Sequence, residues 1–353
     1  MKRAVAVLAA VMAVPVAAHA YRYTTCNGNA YRWADGDIDL RLMTCSAPAP
    51  SAKYDDAVYG FEEWNNAGGL PDVVRARDGD PNQCVVQTGN HISEVGFVDG
   101  DVIDGALGLT LRRFSGGCWS WSGRIDLIEA DVFINGTTPL EEGNPAECND
   151  KRLGQRTTIL HELGHAIGLN HEDDAMALML STDGEGKYCG ARMVEPHPDD
   201  VGGARRLYGT DGESRDLAAS EFRLVAPDSV QLNSAPERVD RCPGEIHRVK
   251  WSVANLGTRD ETYNVRWYLS TNRTITEFDR AIGTNINAVQ VTGAFSTWER
   301  TVRIPWDMEP GEYFVGHLVD YDQRIWERRG SNNYTYMATR IRVLPSDDRR
   351  CQR

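Results

Sequence analysis

The sequence predicts an α+β domain followed by an all-β immunoglobulin-like sandwich. Strand-period and helix-period runs intermingle up to about residue 210. One helix-period segment, near residue 160, carries histidines at metal-binding spacings. Beyond Asp211 only short alternating apolar runs remain, separated by turn residues. The 353 residues fit about two domains, each able to bury its own core. We place a signal peptide at 1–20, the first domain at 21–212 and the sandwich at 213–353.

The chain opens with Lys2 and Arg3, an apolar run from Ala4 to Ala18, and Ala18-His19-Ala20 as a small-x-small cleavage site. This predicts export, to the exterior or periplasm, and no other run is long enough to span a membrane. Alternation of Ile38, Leu40 and Leu42 predicts a half-buried strand. A helix follows from Ala52 to Asn66, with Ala57, Val58, Phe61 and Trp64 on one face and Gly68-Gly69 to stop it. Further strands are expected near Cys84–Thr88, Glu94–Phe97, Ala106–Leu111 and Ile125–Asn135. The helix carrying the histidines should run from about Arg152 to Leu169, behind an N-cap at Asn149 or Asp150. In the second domain, strands are read at 249–253, 265–269, 302–304 and 313–318, with turns such as Asn255-Leu256-Gly257 and Glu309-Pro310-Gly311. About seven strands at this spacing make a sandwich.

The chemistry concentrates in His161-Glu162-Leu163-Gly164-His165-Ala166-Ile167-Gly168-Leu169-Asn170-His171. Residues four apart share a helix face, so His161 and His165 can offer two imidazoles to one ion. Gly168 permits the turn that ends the helix and returns His171 as a third nitrogen. Three protein ligands and an open position describe a catalytic zinc site. Glu162 lies beside the pair, suited to serve as a base rather than a ligand. Three histidines that merely pack or face solvent would not account for Glu162, Gly168 and Met179 standing in register with them.

A net charge of −13 argues against nucleic acid or an anionic membrane as a partner. The acidic groups at 78–80 and 172–174 read as solvated loops. Calcium is their sharper reading, but neither has EF-hand spacing. His91, His197, His247 and His317 are scattered and read as structural or exposed. The eight cysteines, all in the exported part, predict four disulfides. Local order pairs Cys26–Cys45, Cys84–Cys118, Cys148–Cys189 and Cys242–Cys351.

The extended histidine motif, with Ala177-Leu178-Met179 eight residues on as a Met-turn, resembles the metzincin metalloproteases. The passage from Pro198 to Gly209, with paired aspartates and a closing Leu-Tyr-Gly, resembles the last helix of the matrixin branch. Trp64-Asn65 and Glu129-Ala130-Asp131-Val132-Phe133-Ile134 add weaker likeness. The resemblance implies a mixed twisted sheet plus active-site helices, with one Zn2+ on His161, His165 and His171. Glu162 would be general base toward a zinc-bound water, and Met179 the apolar floor. An extended protein or peptide substrate would lie along a cleft-edge strand, for which Ala106, Leu107, Gly108 and Leu109 are the candidates. The segment from Leu180 to Pro198 would set side-chain preference. Two departures stand out. The mature chain before His161 holds only His91, so the second, structural zinc of vertebrate matrixins is not expected. Only Tyr21 to Ala30 precedes the first strand region, so no inhibitory prodomain is expected, and Cys26 reads as a structural disulfide rather than a zinc cap.

Trp267-Tyr268-Leu269-Ser270-Thr271-Asn272, with Asp320, Glu327 and Asn332-Asn333, resembles the CARDB-type domain of exported bacterial proteins. The resemblance implies a spacer or stabilising module, or one that binds a surface or polymer ligand. The leading expectation is a secreted zinc endopeptidase. A binding or adhesion protein led by its sandwich, and a zinc hydrolase acting on a non-peptide bond, are the alternatives.

Overall fold

The structure is a computed structural model and describes residues 22–68, 70–115, 124–137, 155–172, 177–180, 195–328, 330–337 and 339–352, except 225–237 and the side chains of 220–224. The signal segment, Cys118, Cys148, Cys189 and most of 180–198 therefore lie outside the described residues.

The first domain is built on one mixed sheet. Its opening hairpin, β1 (Thr25–Cys26) and β2 (Asn29–Trp33), is absent from the sequence reading. Asn27-Gly28 turns it with φ of 51° and 79°, the two left-handed residues a type I′ turn requires. β3 (Ile38–Leu42) buries Ile38, Leu40 and Leu42 as its alternation predicts. α1 (Ala52–Asn66) matches the expected span, its N-terminus capped by the Ser51 hydroxyl, which accepts from Tyr54 N at 3.2 Å. The chain leaves α1 already at Ala67.

β4 (Val74–Asp78), β5 (Ser93–Val98), β6 (Gly108–Phe114) and β7 (Arg124–Asn135) complete the sheet. Its order is β1-β2-β7-β5-β3-β4, with β6 antiparallel along β7. β2, β7, β5, β3 and β4 run parallel to one another. The strand expected at 84–88 is a loop. Val85 is exposed there and Val86 packs on Met43, Ile103 and Phe133. The strand actually present, β4, buries only Val74 at the sheet edge, so it carries no apolar alternation to read.

α1 and α2 (Gln155–Ala166) pack against the sheet, with α3 (Pro198–Tyr208) beside them. Trp64 is fully buried and donates its indole N–H to Leu160 O at 3.0 Å, tying α1 to α2. The helices approach so closely that a Cβ on Gly60 would lie 2.8 Å from Ile159 Cγ2.

The second unit holds β8 (Leu217–Leu224), β9 (Arg238–Arg241), β10 (Ile246–Asn255), β11 (Glu261–Ser270), β12 (Arg280–Gln290), β13 (Phe295–Arg303), β14 (Gly311–Val319), β15 (Tyr334–Tyr336) and β16 (Arg340–Val343). One sheet runs β13-β10-β8 and the other β12-β11-β14-β16-β9, with β15 on β14. About seven strands are expected and nine are found among the described residues; β9, β15 and β16, of three or four residues each, are too short to show a period. Trp251 and Trp267 meet edge to face across the sheets at 5.3 Å. Arg205 on α3 donates to Leu256 O at 2.6 Å, and Leu256 and Ala254 join the core cluster of the first domain.

The cysteine pairing needs correction. Cys45 bonds to Cys84, not to Cys26, and Cys84 not to Cys118. The loop at 79–92, having no ladder of its own, folds back over the end of β3, which carries Cys84 to Cys45. Order along the chain does not report that proximity. Cys242–Cys351 forms as expected and ties the turn after β9 to the C-terminal 3₁₀ turn at Arg349–Cys351. Cys26 is disulfide-bonded.

Candidate metal centre

α2 presents His161 and His165 one turn apart. It ends in a Schellman arrangement, with Gly168 N donating to His165 O at 3.0 Å and Leu169 N to Gly164 O at 2.9 Å. Gly168 has φ of +112°, a conformation that side chains rarely adopt, and a Cβ there would lie 2.9 Å from Tyr31 O. The turn delivers His171. Its Nε2 lies 3.2 Å from that of His161 and 3.1 Å from that of His165, so three imidazole nitrogens face one point. Among the described residues no other group of His, Cys, Asp or Glu converges in this way.

The far sides of the His161 and His165 rings are held as well. His161 Nδ1 stands 2.9 Å from Leu178 O, and His165 Nδ1 stands 3.0 Å from Leu169 O. An N–H donated to each carbonyl leaves Nε2 as a lone pair, the tautomer a metal needs. Burial lowers the His161 pKa to about 4 and that of His165 to about 3, so both rings are neutral at ordinary pH.

Leu178 is itself fixed. The buried Asp200 carboxylate of α3 accepts from Leu178 N at 2.7 Å, Met179 N at 3.1 Å and His197 N at 2.8 Å. Burial raises Asp200 to about 7 against the pull of these donors. Met179 is buried beneath α2 and its sulfur fills the space over Gly164, where a Cβ would meet it at 2.3 Å. On the other side, residues 22–24 strap the turn. Asn170 N donates to Arg22 O at 2.9 Å, and Thr24 N to Gly168 O at 3.0 Å. The Thr24 hydroxyl donates to Asn170 Oδ1 at 2.8 Å.

Glu162 is buried against β6. Burial raises its pKa to about 7, opposed by a hydrogen bond from Thr110 and the charge of Arg112. A cavity of about 510 Å3 opens here, walled by β6, Glu162, His165, His171 and Arg22. Of the four cleft residues read from the sequence, Gly108 and Leu109 line it. Ala106 and Leu107 stand before the strand, their carbonyls occupied by Asn135 at 2.8 and 2.9 Å. β6 thus begins at Gly108, because Asp104 and Gly105 take left-handed conformations that end a short 3₁₀ turn first.

Residues 94–209 match the model of the matrixin family of peptidases. This segment is matrixin-like. Human matrix metalloproteinase-19 is 32% identical over 144 residues, covering 40% of this chain and 26% of that protein. The Arabidopsis thaliana metalloendoproteinase 4-MMP is 28% identical over 138 residues, covering 38% and 36%. The chain therefore spans about a quarter to a third of the length of these relatives. Among solved structures, a CARDB domain from Pyrococcus furiosus is similar over 37% of this chain and 90% of that domain, at 17% identity and a TM-score of 0.26.

Sequence reasoning missed four contributors to the matrixin-like centre: Thr110, Arg112, Asn170 and the hydrogen-bonding part of Asp200. Asn170 stands inside the motif, and Asp200 inside the passage that resembles a matrixin helix. Thr110 and Arg112 are separated from the motif by about fifty residues, and only the fold brings them in.

Proposed function

We propose that the chain is a secreted zinc-dependent endopeptidase, with residues 21–212 as the catalytic unit and 213–353 as an appended sandwich. The observation that carries this is the meeting of three Nε2 atoms beside a buried carboxylate, at the floor of a cleft rimmed by an edge strand. His161, His165 and His171 would hold one zinc ion, and the pre-oriented rings of His161 and His165 suit it. Zinc bound there supplies Lewis-acid polarisation of the scissile carbonyl and a water acidic enough to lose a proton near neutrality.

The chain's own residues do the rest. Glu162 takes the water proton and returns it to the leaving amine nitrogen. Among the described residues β6 pairs only with β7, so its other edge can take an extended substrate by main-chain hydrogen bonds. Met179 backs the histidine helix, and Arg112 holds the turn that carries His171. No helix among the described residues is long and apolar enough to cross a membrane.

The test is Glu162→Gln in the full chain. Zinc content should stay at one ion per chain while peptide cleavage falls about a thousandfold or more, the scale of a lost general base. Cleavage retained in that variant would overturn the proposal. A second reading, in which the sandwich acts as a binding or adhesion module, draws on its exposed Phe278, Trp306 and Trp326. Zinc-dependent proteolysis together with no retention of the chain on surfaces or polymers would exclude it.

A further inference from the structure

We propose that Thr110 is a positioning residue for the Glu162 carboxylate, an inference that rests on the proteolytic reading above. The argument starts with the period of β6. Along Gly108-Leu109-Thr110-Leu111-Arg112, positions 109 and 111 face outward, 38% and 42% exposed. Positions 108, 110 and 112 face α2. Gly108 and Thr110 face Glu162, and Arg112 faces the end of the helix.

Gly108 leaves room. A Cβ there would lie 2.6 Å from Glu162 Cγ and 2.8 Å from its Oε1, so any larger residue would push the carboxylate away. Thr110 supplies the directional contact. Its Oγ1 lies 2.6 Å from Glu162 Oε2 and 3.0 Å from Glu162 O. The single hydroxyl proton can serve one acceptor well, and the shorter distance is that of a charge-assisted bond to the carboxylate. Arg112 fixes the spacing between strand and helix. Its Nη1 donates to His165 O at 3.3 Å and Leu169 O at 3.2 Å, and its Nη2 to Asn170 Oδ1 at 3.1 Å. The strand is thereby anchored to the end of α2.

The consequence is a division of labour between the two carboxylate oxygens. Oε2 is held by a donor that stays bonded whether or not the other oxygen carries a proton. Oε1 is left to receive the proton. A threonine suits the task because its branched Cβ restricts χ1, so the hydroxyl cannot swing away without moving the methyl group. Positioning of this kind acts on the chemical step and leaves both ground-state substrate binding and the histidine ligands alone.

The experiment compares Thr110→Val, Thr110→Ser and Thr110→Ala with the parent full chain. Each is assayed for kcat and KM on a peptide the parent cleaves, for zinc per chain and for thermal midpoint. Val should lower kcat about tenfold to a hundredfold at unchanged KM and zinc content. Ser should restore most of the rate, and Ala should fall with Val. A Val variant within about twofold of the parent, or a Ser variant no faster than Ala at equal zinc content, would overturn the inference. So would loss of zinc in Val or Ala that Ser restores, since the hydroxyl would then serve metal retention. A parent that cleaves no peptide would overturn the proteolytic reading and this inference with it. An active parent indifferent to the Thr110 hydroxyl would overturn this inference alone.

Discussion

His165 and His317 occupy similar local environments in the two halves of the molecule. Each is held at one ring nitrogen by a backbone carbonyl, His165 by Leu169 O at 3.0 Å and His317 by Ser252 O at 3.1 Å. Burial lowers both to about 3. Their second nitrogens differ. That of His165 meets His171 Nε2 at 3.1 Å, whereas the His317 ring lies 5.6 Å from Trp251 inside the sandwich core. A depressed pKa therefore marks burial and nothing more. Convergence of lone pairs separates a metal centre from a polar group accommodated in a core.

The largest effect that would break this comparison lies in paired alanine variants. His165→Ala should reduce zinc from one ion per chain to near none by elemental analysis and abolish peptide cleavage. His317→Ala should leave the zinc content at one. It opens a cavity beside Trp251 and should lower stability by about 2–4 kcal/mol in denaturant titration. Zinc loss in the His317 variant would mean that the sandwich supports the centre through its contact with α3.

A smaller effect sharpens the account of the centre itself. Asp200 reaches His161 through Leu178, whose N–H it accepts and whose carbonyl holds the ring. In Asp200→Asn one carboxylate oxygen becomes an amide donor facing a backbone N–H. We expect about 1–3 kcal/mol lower stability. Zinc affinity should weaken about tenfold to a hundredfold, as for other groups that orient metal ligands. Competition with a chelator measures the second quantity. Unchanged affinity would show that the Met-turn holds its shape without Asp200.

How much of this was legible in the chain depends on whether a signal is local. β3 and α1 were readable because alternation and helical spacing are written in adjacent residues. The β1–β2 hairpin is just as local, since Asn27-Gly28 is a strong two-residue turn signal. β4 was not, because an edge strand that buries one residue carries no period. The histidine set was legible because helix geometry and one glycine bring its members together over eleven residues. Thr110 and Arg112 were not, because their partners are supplied by tertiary packing. Cys45–Cys84 failed for the same reason.

The smallest effect concerns the buried acids Glu129 and Asp131 of β7, a contrast to the histidine centre in which backbone N–H groups meet the charge. Burial pushes Glu129 up, but donors from Gly89, His91 and Asn90 outweigh it and leave its pKa lowered. Burial, with a hydrogen bond to Glu129, raises Asp131 to about 8. The signs place the two groups in different pH windows. The contribution of Glu129 is present above its unfolded value, near 4.3, and is lost as pH falls through its lower folded one. The contribution of Asp131 is present in full below the unfolded value, near 3.9. It declines as the unfolded chain gives up a proton that the fold retains, and is gone above about 8. Between pH 5 and 9, roughly, the slope from this pair therefore belongs to Asp131 and is downward. Asp131→Asn keeps an acceptor for Glu94 N and a donor for Glu129, and has no proton to lose. Its thermal midpoint should fall less than the parent's across that range, with the two curves crossing. Parallel curves would mean that Asp131 carries its charge inside the fold.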